Sequence, residues 1–143
     1  MKKTYSRYLP WMIFAEDREL GELCFVIKNK PGELARVLQI VAKYEINVVS
    51  TTGYSHPIWD QASITLVVDI TDVEDDLLKQ MLEELEANAV GEVLFKKNVI
   101  KGFLVSESAF PIYLDLHKRV LLFSLEEVGS MLKALYDKYG DVT

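Results

Sequence analysis

The stretch Asn29-Lys30-Pro31-Gly32-Glu33-Leu34 separates two kinds of pattern, and its reading decides the fold. Before it, Leu23, Phe25 and Ile27 alternate with Cys24, Val26 and Lys28, the period-two signature of a strand. Both sets are mostly apolar, so this strand is expected to be central and covered on at least part of both sides. After it, Leu34, Val37, Leu38, Val41 and Ala42 fall at i, i+3, i+4, i+7 and i+8, which predicts one buried stripe on a helix. Between the two, Pro31 fixes φ and lacks an N–H, while Gly32 permits a backbone angle or a close approach that a side chain would block. Glu33 falls in the first helical turn, where a carboxylate complements the dipole. Glu45-Ile46-Asn47 should end the helix.

Downstream, Val48 to Tyr54 is rich in β-branched residues and predicts a second strand, followed by a loop signal at Gly53-Tyr54-Ser55-His56-Pro57. A third strand alternates Ala62, Ile64, Leu66, Val68 and Ile70 with Ser63, Thr65, Val67 and Asp69. Thr71-Asp72-Val73-Glu74 has capping-box spacing. The helix after it should turn Leu77, Leu78, Met81, Leu82 and Leu85 inward and Asp75, Lys79, Glu83 and Glu84 outward. A fourth strand is expected from Val90 to Lys97. The order β-α-β-β-α-β predicts an α+β, ferredoxin-like domain over residues 21–97: a four-stranded antiparallel sheet with two helices on one face.

The flanks are less regular. In residues 1–20, Tyr5, Tyr8, Trp11 and Phe14 recur every third residue, but Pro10 favours an extended arm packed on its own domain or on a partner subunit. Residues 98–143 read as an appendage. Phe110 to Leu114 and Arg119 to Phe123 form a hairpin around a turn at Asp115 to Lys118. A helix follows, capped by Ser124 with Glu127, carrying Val128, Met131, Leu132, Leu135 and Tyr136 on its apolar face and stopped by Gly140. A hairpin plus one helix buries too little to stand alone. It should dock on the first domain, complete itself by dimerisation, or be an incomplete domain.

Composition narrows the function. Half of the 143 residues are apolar, enough for a core, and the net charge of −6 argues against a nucleic-acid footprint. Cys24 is the only cysteine, so a reducing, cytoplasmic location is the simplest reading, with Cys24 a buried small hydrophobe. The start, Met1-Lys2-Lys3 and then Leu9 to Ala15, is too short and too interrupted for a signal peptide. No apolar run approaches the roughly 18–20 residues of a membrane span. His56 and His117 lie in separate turns without ligand-spaced partners, which argues against a metal site. Asp75-Asp76 and Glu83-Glu84 read as a solvated helix face rather than paired catalytic carboxylates. No nucleophile elbow or Gly-rich phosphate loop is present. The chain therefore reads as a non-enzyme without a cofactor.

The turn is the best place for a small molecule. It joins a strand end to a helix N-terminus, where N–H groups lack partners and the dipole favours a carboxylate. Asn29 can donate and accept, which suits an α-amino or α-carboxyl group. A plain structural βα turn is the alternative.

Residues 23–97 resemble an ACT domain, the small regulatory module of amino-acid metabolism. The resemblance rests on the strand, the Asn29 to Leu34 motif, the helix, Ile46-Asn47-Val48, and the order of the remaining elements. It implies an amino acid held at a subunit interface by Asn29, Lys30, Pro31, Gly32, Glu33 and Leu34, with Asn47 contributed from the opposite subunit. Some amino-acid-binding members carry a histidine two residues before the turn asparagine, where this chain has Ile27. Other members only dimerise. The tail, from Phe110 to Gly140, is similar to the opening of 4-vinyl reductase-like, hydrocarbon-binding domains, of which only a fragment would be present. The expected function is a regulatory domain that binds an amino acid or related carboxylate in a homodimer or higher oligomer, with no nucleic-acid or membrane partner. The alternative is a ligand-free dimerisation or docking module of a larger regulatory or hydrocarbon-binding protein.

Overall fold

The Pro31-Gly32 turn stands between a strand and a helix. β2 (Leu20–Lys28) runs into it and α1 (Glu33–Lys43) runs out. The structure, a computed structural model, describes residues 9, 11–106, 111–114 and 116–140. Tyr5, Tyr8, Pro10, Phe110 and Asp115, which the sequence reading used, lie outside them. The chain divides into two compact units, Met1–Ser108 and Ala109–Thr143.

In the first unit, β1 (Met12–Phe14) precedes β2, and α1 leads to β3 (Asn47–Tyr54), β4 (Gln61–Asp69), α2 (Asp75–Asn88), β5 (Leu94–Lys97) and β6 (Phe103–Val105). The four central strands form an antiparallel sheet in the order β3-β4-β2-β5. That order and the two helices on one face are the ferredoxin-like α+β fold expected. The alternation in β2 and β4 explains it. Leu23, Phe25 and Ile27 lie beside Leu66, Ile64 and Ala62, and these side chains meet Val37, Ile40 and Val41 of α1 and Leu78, Met81 and Leu85 of α2. β3 carries a bulge between Val48 and Ser50, which leaves Val49 half exposed. β5 is shorter than predicted, but Val90 N–H still donates to Val26 O at 2.7 Å.

The helical stripes differ in detail from the expectation. In α1 the buried residues are Val37, Ile40 and Val41, while Leu34 and Ala42 are exposed. In α2, Leu77 is exposed. Side chains of a first turn project back beyond the helix start, so Leu34 and Leu77 reach past the cover of the sheet. The capping box at Thr71 does not form. α2 begins at Asp75, and the Thr71 hydroxyl instead donates to Asp69 Oδ1 at 2.5 Å and accepts from Glu19 N–H at 2.9 Å.

Those bonds shape the acid behaviour of Asp69. Partial burial pushes its pKa up, but the Thr71 hydroxyl and amide, with Arg18 3.6 Å away, outweigh burial and hold it below its ordinary value. A carboxyl with a lowered folded-state pKa contributes stability above the unfolded pKa and loses it as pH falls through the folded one. Asp69→Asn should therefore flatten the acid limb of a stability-versus-pH curve measured by urea melts. An acid limb identical to wild type would remove this role.

The opposite face of the sheet holds a second core, the cover on both sides expected for the central strand β2, supplied by a ribbon that the sequence did not announce. β1 and β6 pair as an antiparallel ribbon, and Ile13, Ala15 and Leu104 pack on Leu20 and Val67. Residues 98–106, grouped with the tail in the sequence reading, thus belong to the first unit, and the extended arm is in part the strand β1. The ribbon also buries Glu22, whose Oε1 accepts from the Ser106 hydroxyl at 2.7 Å and from the Cys24 thiol at 3.7 Å. Cys24 is half-buried rather than fully enclosed.

In the second unit, β7 (Ile112–Tyr113) pairs with β8 (Arg119–Val120), shorter than the predicted hairpin strands, and α3 spans Leu125–Tyr139. The Ser124–Glu127 capping box is complete, and Gly140 ends the helix with φ of 69°. Within the described residues, no helix is long and apolar enough to cross a membrane.

Candidate functional site

The turn owes its shape to Gly32, whose φ of 88° lies in the left-handed region that favours glycine. Among the described residues, nothing lies within 4 Å of where a Cβ would sit there, so they leave the space above the turn open. Lys30 O accepts from Glu33 N–H at 3.3 Å, and Gly32 O accepts from Arg36 N–H at 2.9 Å. The N–H groups of Leu34 and Ala35 take no acceptor among the described residues. They face the start of an eleven-residue helix, where the dipole favours an anion.

Glu33 is not directed at that opening. Its carboxylate pairs with Arg36 at 2.7 Å, and the Arg36 hydrogen bond, with Lys28 and Lys30 nearby, lowers its pKa. Arg36 also donates to the side chain and the carbonyl of Asn88, tying the start of α1 to the end of α2. At the other end of α1, Glu84 accepts from Lys43 at 2.7 Å and from the Tyr44 hydroxyl at 2.8 Å. Lys43 first, then Tyr44, holds the Glu84 carboxyl below its usual range.

Asn29 is committed on its donor side. Its Nδ2 donates to Trp59 O at 2.8 Å and His56 O at 3.2 Å, and its backbone N–H donates to Asp60 O at 2.8 Å. Its Oδ1 has no donor among the described residues. The same bonds bring the β3–β4 loop against the turn. Tyr54 and Trp59 stack edge to face with centroids 5.6 Å apart, and the His56 ring lies 5.9 Å from Trp59. These rings are neighbours of the turn that sequence reasoning passed over as a loop. The available signal was Tyr54, His56 and Trp59 within six residues at the tip of a hairpin.

Asn47 is exposed at the far end of the sheet. It lies beside Asp69, which lies beside Leu20, whereas Lys28, just before Asn29, lies beside Gln61. At about 3.3 Å per residue the two asparagines are roughly 25–30 Å apart in one chain. Lys30, Pro31 and Leu34 are exposed around the turn. Among the described residues no group of three or more His, Cys, Asp or Glu could hold a metal ion.

A comparison with curated proteins gives no match. Similar solved structures include the ACT domain from GTP pyrophosphokinase of Chlorobium tepidum, at 15% identity over 55% of this chain and 99% of that one, TM-score 0.46. They also include the regulatory subunit of aspartate kinase from Thermus thermophilus, at 22% identity over 59% and 54%, TM-score 0.44. The uncharacterized protein TM1266 from Thermotoga maritima aligns at 17% identity over 57% and 95%, TM-score 0.41. The resemblance of the tail to 4-vinyl reductase-like domains finds no support in these comparisons. Residues 23–89, which hold the turn, both helices of the first unit and three of its four central strands, match the family model of the ACT domain.

Proposed function

We propose that this chain is a regulatory module, not an enzyme, that binds an amino acid or a related small carboxylate at the Asn29–Leu34 turn, across a two-fold interface. The observation that carries the reading is the open space over Gly32, with the N–H groups of Leu34 and Ala35 left for an anion. Glu33 does not block it, because Arg36 holds its carboxylate. Asn29 Oδ1 is then an acceptor for the α-ammonium. The ACT match supports a small-molecule-binding regulatory domain. Asn47 joins only from a second copy. Pairing two β3 edges antiparallel would set the start of one β3 beside the end of the other, the end that carries the Asn29 loop. Binding then regulates by favouring the paired arrangement over others, through differential affinity.

A ligand-free dimerisation module is the second reading, favoured by the commitment of Asn29 Nδ2 to the His56 and Trp59 carbonyls. A thermal-shift screen against amino acids and small carboxylates separates the two. A ligand at 100 times its Kd should add about 2.7 kcal/mol. Asn29→Ala should abolish that gain. It should also cost about 1 kcal/mol without ligand, because two carbonyls lose their donor. A gain that survives in Asn29→Ala would place the ligand elsewhere, and no gain with any compound would favour the second reading.

A further inference from the structure

Glu33 directly precedes Leu34 and Ala35, so the carboxylate nearest in sequence to their open N–H groups is the chain's own. The helix dipole draws an anion in the first turn toward those groups. A tethered anion also acts at a high effective concentration. Lys28 and Lys30, before the turn and in it, already act on the Glu33 carboxylate, so a released Glu33 still finds counter-charge there. Loose, it would compete with any carboxylate that arrives from solution.

What holds it aside is a relay of hydrogen bonds from α2. Arg36 Nη2 donates to Glu33 Oε2 at 2.7 Å. A partly exposed i,i+3 pair gains little and by itself seldom keeps one geometry. Here the guanidinium is fixed from its other side. Asn88, the last residue of α2, accepts from it with Oδ1 and with its carbonyl oxygen, the latter at 3.0 Å. The Asn88 amide is oriented in turn by its Nδ2, which donates to Glu84 O at 2.7 Å and so leaves Oδ1 for Arg36. All three side chains are partly buried. On the reading of the turn as a carboxylate site, on which this step rests, we propose that Asn88 is a positioning residue for that site, acting through Arg36 to hold Glu33 out of it. The end of α2 is then a control point. A shift there frees Glu33 and closes the site to an outside carboxylate.

An amide NMR titration of the full chain with sodium acetate, at constant ionic strength, tests this with the carboxylate alone. In wild type the Leu34 and Ala35 amides should shift and saturate. Asn88→Ala changes no charge and lies outside the turn, yet it should weaken acetate binding several-fold. Glu33→Gln removes the competitor, so N88A/E33Q should bind acetate as E33Q does. A purely structural role for Asn88 predicts equal weakening in both backgrounds. A wild type that responds beside an N88A that binds as tightly, or an N88A loss that persists with E33Q, would overturn the role of Asn88 and leave the site standing. No response of Leu34 and Ala35 in wild type would overturn the site itself, and this role with it.

Discussion

Leu66→Ala should lower the unfolding free energy by about 3 kcal/mol, within the range of about 2–5 kcal/mol for buried leucine truncations. Leu66 sits at the middle of β4, next to Leu23 in register, and has no exposed surface. It belongs to the core cluster that the sheet shares with Val37, Ile40 and Val41 of α1 and Leu78, Met81 and Leu85 of α2, so several elements would have to shift to fill the cavity. A small domain has about 5–15 kcal/mol in total. The change should therefore show as a large drop in the urea midpoint with an unchanged slope. A loss below about 1 kcal/mol would mean that the helices do not pack on this face as described.

Gly102→Ala should cost a similar amount by a different route. Gly102 has φ of 78°, and a Cβ there would stand 2.9 Å from Ala15 O and 3.3 Å from the Glu16 Cα. Left-handed backbone costs a non-glycine residue roughly 1–2 kcal/mol, and overpacking adds about 1–3. The neighbour is backbone, which cannot swing aside. Gly102 O accepts from Ala15 N–H at 2.7 Å and its own N–H donates to Arg18 O at 2.9 Å, so the clash falls where the ribbon closes. The loss should be local. Hydrogen exchange should rise in Met12–Phe14 and Phe103–Val105, with Leu20 and Val67 uncovered, while α1 and α2 keep their protection. Uniform protection across the variant would contradict the ribbon as a separately held layer.

These two sites mark how far the sequence was legible. Leu66 was assigned to the core by alternation alone, because a strand buried on one face must repeat with period two. The β1–β6 ribbon was not, because three-residue strands about ninety positions apart carry no period. The burial of Glu22 follows from that ribbon, so it was equally invisible. Helical spacing gave the inward faces of α1 and α2 but not how far the sheet extends beneath them, hence the exposure of Leu34 and Leu77. At Thr71 the capping pattern was present, and the Asp69 carboxylate took the hydroxyl. For the candidate site, the turn and its glycine were readable from Pro31-Gly32. That Asn29 gives its amide hydrogens to the His56 and Trp59 carbonyls was not, since it depends on how the hairpin tip folds back.

The proposed carboxylate site is tested most directly by an amide NMR titration of the full chain with the compound that gives the largest thermal shift. The account predicts that the backbone amides of Leu34 and Ala35 move most and saturate with the same Kd as the Trp59 loop, and that Gly32→Val removes the response. Saturable shifts that spare Leu34 and Ala35 and cluster elsewhere on the sheet would contradict it.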